Sequence, residues 1–537
     1  MNEASTSGTP SGIHEHGGLK MSRQKTVSDV VVQIDGNSLT MEKVIRVARE
    51  GARVQLSESA RARMADSRRA LEKLVEGGRA IYAVNTGVGE LVDVRIPPEE
   101  LKTLQVNLLR SHSCGVGEKY PAEVVRAMML LRANALAKGY SGVRPDIVQM
   151  LIDMINSKVH PIVSRQGSVG ASGDLVMLAQ LGLVMIGEGD ADAGRGPEPG
   201  AKALNRKKLS PITLEPKEAI SIMNGTQAMG ALGVLALKDA AILADNAQIV
   251  AAMSLEALKG TSSAFDPRIS NVRPHKGQVR VAQNMLKLVD GSEIMVSHHD
   301  CPKVQDAYTL RCIPQVLGAS IDAIWYGEDV FDVEMNSATD NPLFFPDEGM
   351  VISGGNFHGQ PLALAMDFLG LAAHEIGSFS ERRIARLVDD KLSGLPAFLT
   401  RHGGVSSGMM VPQYVAASLV SENRVLVHPA SADSIPTSAN QEDHNSMGTI
   451  AAWKARQIVD NVRRVVAIEM IAAAQGLDFI PLSSSPAMEK VKGALRKEIP
   501  PLEEDRSISN EIEKVAKMIS EGVFIEAAES ACGFQRT

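Results

Sequence analysis

Residues 167–175 read GSVGASGDL. Inside this stretch, Ala171-Ser172-Gly173 is a run of three small residues, with Gly167 and Gly170 just ahead of it. Gly173 carries no side chain, so its backbone nitrogen can approach the carbonyl of Ala171 closely. Attack there closes a five-membered ring. Loss of water, with the Ser172 hydroxyl included, leaves an exocyclic methylene conjugated to the ring carbonyl. That group is an electrophile made from main chain, without a metal. The flanking glycines permit the strained turn that such a closure needs. The competing reading of the same residues is a helix start, with Ser172 or Asp174 capping DLVMLAQLGLVMIG.

Other chemistries lack their signatures. There is no G-x-x-x-x-G-K-[ST] and no G-x-G-x-x-G after a strand, so phosphate cradles are not indicated. Ser172 stands in G-A-S-G, not in the G-x-S-x-G elbow of a hydrolase nucleophile. H-E-x-x-H is absent, and His298-His299-Asp300 reads as a solvated loop, so no metal site is expected. Cys114, Cys301, Cys312 and Cys532 form no C-x-x-C pair, which argues against a zinc or dithiol site and for a reducing compartment.

Several blocks accompany GSVGASGDL in order along the chain: YAVNTGVG before it, then MNGTQ, QDAYTLRCIPQ, NSATDNPL, GGNFHGQP and TSANQEDHNSMG. Together they resemble the aromatic amino-acid ammonia-lyases and aminomutases over about residues 30 to 530. The resemblance implies an almost all-helical fold and a 4-methylidene-imidazol-5-one group formed autocatalytically from Ala171, Ser172 and Gly173. It also implies a homotetramer with each active site assembled from three subunits, acting on a small-molecule amino-acid substrate. By the same resemblance Tyr82 is the base that removes the substrate β-proton. Arg311 clamps the substrate carboxylate, for which a guanidinium fork is the matching shape. Tyr308, three residues earlier on one helical face, sits near the electrophile. Asn224 hydrogen-bonds the ring and promotes its formation. Gln305 and Gln441 are second contacts, and Phe357 packs against the ring.

Two positions bear on the substrate. His112 in RSHSCG could hydrogen-bond an imidazole or a phenol, so it argues against a purely apolar ring without choosing between those two. Glu442 in TSANQEDH is more selective. A carboxylate beside an apolar ring is desolvated without recompense, whereas beside an imidazole it accepts an N–H bond. TSANQEDH, AAAQGLDF and RSHSCGVGE are most similar to the histidine-specific members, which implies elimination of ammonia from L-histidine to give trans-urocanate. A tyrosine lyase or 2,3-aminomutase is the alternative, and a catalytically silent scaffold the remote one. Val88, Ala307 and Ile313 depart from the histidine-specific pattern.

The elements that must hold these residues are mainly helical. Aromatics make up only 4% of the chain, while Ala, Leu, Val and Met abound, which favours long helices over sheets. Long helical runs are expected over 228–258, 315–338, 360–390, 406–426 and 445–475, as a bundle rather than a repeat array. AEVVRAMMLLRANALAKG reads as an amphipathic helix closed by Gly139. VVVQIDGNSLT reads as a short hairpin, and the polar, Gly- and Pro-rich residues 187–212 as a boundary or long surface loop. The expected organisation is a disordered tail (1–27), a mixed, mainly helical N-terminal domain bearing the Ala-Ser-Gly loop (28–212), a central long-helix bundle (213–485) and a helical appendix (486–537). The apolar runs at 228–258 and 362–377 are interrupted by charge, so they read as bundle interior rather than membrane spans. A net charge of −7 argues against a nucleic-acid surface. With no apolar leader at the N-terminus, a cytoplasmic location is expected.

Overall fold

A computed structural model describes residues 31–77, 81, 84–87, 89–91, 93–298 and 304–537. The first described segment corrects the expected hairpin. Strand Val31–Ile34 pairs in parallel with strand Arg53–Leu56, in the register Val32 to Val54. Parallel neighbours need a crossover, and helix Met41–Ala48 supplies it. The Asp35-Gly36 turn does not reverse the chain onto itself. Asp35 Oδ1 accepts from the backbone N–H of Asn37 and Ser38 at 2.8 and 2.9 Å, and the chain then enters the helix through its cap, Thr40.

The bundle forms as its apolar runs require. Its long helices are Gln227–Ala257, Ile313–Glu334, Gln360–Val388, Met410–Leu426 and Gly448–Leu477. A proline in the first turn helps start two of them, Pro314 and Pro361, where its missing N–H costs nothing. Gln227–Ala257 is the central rod: every residue in it except Lys238, Asp239 and Ile242 is buried. It and Gln360–Val388 are long and apolar enough to cross a membrane by length and composition, but most of each apolar window is buried within the bundle. Helices Gln360–Val388 and Gly448–Leu477 are joined by a fully buried Arg383–Glu469 ion pair. Ser254 and Ser380 donate to the same carboxylate, so its remaining lone pairs are not left unsatisfied.

Helix Ala122–Ala137 is not amphipathic as expected: all its residues from Val124 onward are buried. It is wedged between Met41–Ala48, Pro145–Ser157 and the central rod, so the polar residues that suggested a wet face are internal. Arg126 donates to the carbonyls of Val47 and Ile155, and Asn134 to that of Met335. The 187–212 segment is more ordered than a loop: strands Asp190–Asp192 and Pro197–Pro199 pair antiparallel and lead into helix Gly200–Arg206. Beyond the bundle come helices Pro486–Arg496, Ser509–Ser520 and Val523–Cys532, with the Pro500-Pro501 break between the first two. The main apolar core draws on residues from Val32 to Phe534, and a smaller separate cluster gathers Leu71, Ile81, Val84 and Phe344.

Candidate active site

The Ala-Ser-Gly loop lies where helix starts converge. Asp174 immediately precedes helix Leu175–Met185 but does not cap it, and neither does Ser172. Its carboxylate turns instead to the first turn of the central rod. There Oδ2 accepts from the N–H groups of Ala228 and Met229 at 2.9 and 2.8 Å. Oδ1 accepts from the hydroxyl of Thr449, in the first turn of Gly448–Leu477, and from Ser168 Oγ at 3.3 Å. Burial raises this carboxyl from 3.8 to about 6, against the pull of those donors. Asp174 thus ties three helix N-termini together, and their dipoles favour negative charge nearby.

The loop itself is wound tightly. Gly170, Ser172 and Gly173 all have positive φ, of 78°, 51° and 80°. That conformation is unusual for Ser172, and the surrounding bonds hold it there. Gly173 N donates to Gly170 O at 3.2 Å, and Asp174 N donates to Gly225 O at 2.7 Å. Asn224 Nδ2 donates to the carbonyl oxygen of Ser172 at 2.7 Å. The Ser172 hydroxyl donates to Glu442 Oε1 at 2.8 Å. Gly173 lies against the backbone of Gly225 so closely that a Cβ on Gly173 would collide with it. The chain segment Asn224-Gly225 therefore acts as a template against which the tripeptide is pressed.

A cavity of about 470 Å³ opens over Ser172. It gathers six residues singled out from sequence: Ser172, His112, Asn224, Phe357, Gln441 and Glu442. It also takes in residues that were not singled out, among them Ile220, Asn341, Ser353 and Ser438. Asn341 and Ser438 lay inside recognised blocks, but nothing in their type marked them. Asn341 Oδ1 holds Gly354 N at 2.8 Å, and Ser438 begins a turn with Ala439 and Asn440 in which all three have positive φ. That turn leads directly to Gln441 and Glu442. Thr437 Oγ1 donates to Glu442 Oε2 at 2.8 Å, so the carboxylate is held from both sides.

His112 ends helix Leu101–His112, and its Nδ1 lies 2.8 Å from the carbonyl of Leu108. A carbonyl only accepts, so Nδ1 is the donor in this contact, and in the neutral imidazole Nε2 is then the acceptor. The cavity wall therefore offers two acceptors, Nε2 of His112 and the carboxylate of Glu442, beside the apolar Leu175, Ile220 and Phe357.

Other expected site residues are not gathered here. Tyr308 and Arg311 share a short helix, Tyr308–Arg311, with the guanidinium 4.5 Å from the Tyr308 ring centroid. Arg311 Nε donates to Asp306 O at 3.0 Å, and Tyr308 is 68% exposed. Neither they nor Gln305 lines the cavity. Tyr82 and Val88 lie outside the described residues, as do His299 and Asp300. His298 sits with its two ring nitrogens 2.6 and 2.8 Å from the carbonyls of Ile294 and Gly260.

The residues present fit the ring that the tripeptide could form. The loop is already turned back on itself, the Ser172 carbonyl has an amide donor, and the hydroxyl that must leave has a carboxylate partner.

The model of a family described as aromatic amino acid lyase matches residues 39–497. The histidine ammonia-lyase of Caldanaerobacter subterraneus is 53% identical over 508 residues, covering 92% of this chain and 99% of the relative. That of Symbiobacterium thermophilum is 52% identical over 499 residues, covering 93% and 98%. Among solved structures, histidine ammonia-lyase from Trypanosoma cruzi superposes with a TM-score of 0.87 at 43% identity, over 94% of this chain and 96% of that one. Tyrosine aminomutase from Streptomyces globisporus gives 0.89 at 37% identity, over 95% and 100%.

Proposed function

This chain belongs to the aromatic amino acid lyase family and is a carbon–nitrogen lyase, and we propose that it eliminates ammonia from L-histidine to give trans-urocanate. The observation that carries the choice of substrate is the pair of acceptors, Glu442 and His112, in the same cavity as Ser172. They receive the imidazole N–H, while Ile220 and Phe357 cover the ring faces. A charge-assisted hydrogen bond of this kind contributes about 1.5–3 kcal/mol, or roughly ten- to a hundredfold in selectivity.

The remaining roles follow from the chemistry. A 4-methylidene-imidazol-5-one formed from Ala171, Ser172 and Gly173 supplies the electrophile that turns the substrate amine into a leaving group. Asn224 donates to the Ser172 carbonyl oxygen and stabilises negative charge that develops there. Tyr82 takes the β-proton. Arg311 grips the substrate carboxylate, with Tyr308 and Gln305 beside it, and Gln441 contributes a further contact. Because Arg311 and Tyr308 sit away from this chain's own cavity and Tyr308 is exposed, they serve the cavity of a neighbouring copy, in a homotetramer with shared sites. The enzyme works in the cytoplasm on a free amino acid.

The test is to incubate the protein separately with L-histidine, L-tyrosine and L-phenylalanine and to follow the unsaturated acid in the near ultraviolet. Product from histidine is expected. Product from tyrosine with none from histidine overturns the substrate assignment. The acceptor at His112 also suits a phenol, which makes tyrosine the competitor that matters.

A further inference from the structure

We propose that Arg132 is a positioning residue for ring formation: it clamps the Asn224-Gly225 template from behind so that the Ala-Ser-Gly loop is held in register. This rests on the reading of Ala171, Ser172 and Gly173 as a ring-forming tripeptide.

Arg132 is completely buried in helix Ala122–Ala137. Its Nη1 donates to the carbonyl of Asn224 at 3.0 Å and to Gln227 Oε1 at 2.7 Å, and Nη2 donates to the carbonyl of Ser221. The two carbonyls belong to the end of the short helix Glu218–Met223, whose last acceptors have no partner of their own within that helix. The guanidinium satisfies them and fixes where the chain leaves the helix. That exit is Asn224, whose side chain reaches Ser172, and Gly225, whose carbonyl takes the Asp174 N–H. Gly225 itself reports the closeness of the clamp, because a Cβ there would collide with Arg132 Nη1. The neighbours are anchored too: Gln227 Nε2 donates to Thr339 Oγ1 at 2.8 Å, and Ser221 Oγ to Asp340 Oδ2 at 3.2 Å.

A guanidinium with no exposed surface, hydrogen-bonded only to carbonyls and an amide oxygen, is costly to bury. Burial draws its pKa down to about 10, with Asp340 opposing the shift. An apolar side chain here would leave the Ser221 and Asn224 carbonyls unsatisfied, so it is the fork that fixes where the chain leaves the helix. Ring closure joins Gly173 N to the Ala171 carbonyl carbon and moves the N–H proton to the Ala171 oxygen. That oxygen leaves as water with the Ser172 N–H proton, and the Ser172 hydroxyl leaves as water with the Ser172 Cα proton. Closure needs the nitrogen and carbon held within reach, and an ångström of slack in the template is enough to lose it.

The test uses full-length protein made by cell-free synthesis, with intact mass read at intervals. Arg132→Lys and Arg132→Met are compared with Arg126→Lys. Arg126 is a second buried arginine on the same helix, which holds the carbonyls of Val47 and Ile155 instead. Wild type and Arg126→Lys are expected to become two waters lighter at the same rate. Arg132→Lys is expected to keep its helical circular dichroism while losing water on the order of 10²-fold more slowly. Gly225→Ala, whose Cβ would collide with Arg132 Nη1, Gln227 Oε1 and Thr339 Oγ1 and so disturb the clamp without removing the arginine, is expected to share that delay. Wild-type maturation rates in folded Arg132→Lys and Gly225→Ala overturn the proposal. Equal delay in Arg126→Lys reduces Arg132 to a structural residue and overturns it as well. An unshifted wild type overturns the ring reading instead, and is distinguishable because every variant then matches it.

Discussion

The Ser172 hydroxyl donates a 2.8 Å hydrogen bond to Glu442 Oε1. The residue that must lose its hydroxyl and the carboxylate assigned to the substrate are thus already partners. Once the hydroxyl departs as water, Oε1 has lost its donor, while Thr437 still holds Oε2. On the proposed ring formation, loss of the hydroxyl would clear the carboxylate for an incoming N–H.

Replacing Glu442 with Gln removes the charge from that acceptor. Histidine turnover is expected to fall by at least roughly ten- to a hundredfold in kcat/KM. Steady-state kinetics on fully matured enzyme checks this, and unchanged turnover would remove the reason for preferring an imidazole substrate.

Asn224→Ala leaves the Ser172 carbonyl without its amide donor. The fraction of protein two waters lighter is expected to drop, with closure slowed by about tenfold for one lost hydrogen bond. Intact mass on freshly made protein reads the effect. Full conversion at the wild-type rate would contradict the template role of Asn224.

Shared sites predict complementation between dead subunits. Ser172→Ala and Arg311→Ala proteins are each expected to be inactive alone. Co-expressed, they should regain activity in mixed oligomers, because some cavities then receive both intact residues. No recovery in isolated mixed tetramers would place both residues in one subunit's site.

A pH effect is expected away from the site. Burial raises the Asp245 carboxyl from 3.8 to about 7, where Oδ1 accepts from the N–H and hydroxyl of Thr537. The folded protein then holds a proton that the unfolded chain has shed. This contribution to stability is present at low pH and is lost as pH rises from about 4 to about 7. Asp245→Asn should match wild type near the bottom of that window and exceed it above the top, by on the order of 4 kcal/mol. Melting temperatures across the window decide, and parallel curves would contradict it.

The long helices were legible because each carries a dense apolar run with recognisable ends; Gln227–Ala257 lies within one residue of the expected 228–258. The residues around Ser172 were legible because block order put His112, Asn224, Phe357 and Glu442 with it, and the fold brings them to one cavity. What stayed hidden depended on distant partners. Asp174 sits where a cap of its own helix is expected, yet it caps the rod that starts at Gln227, more than fifty residues away. Strand Val31–Ile34 looked like half a hairpin because its partner lies beyond a helix. Arg132 looked like one polar position on an amphipathic surface, since local periodicity does not say that three other helices surround it.

The central claim is that the main chain of Ala171, Ser172 and Gly173 becomes the electrophile. The most direct measurement is the intact mass of the freshly purified, denatured full-length protein. A ring requires a mass two waters below that calculated from the sequence; an unmodified mass contradicts it.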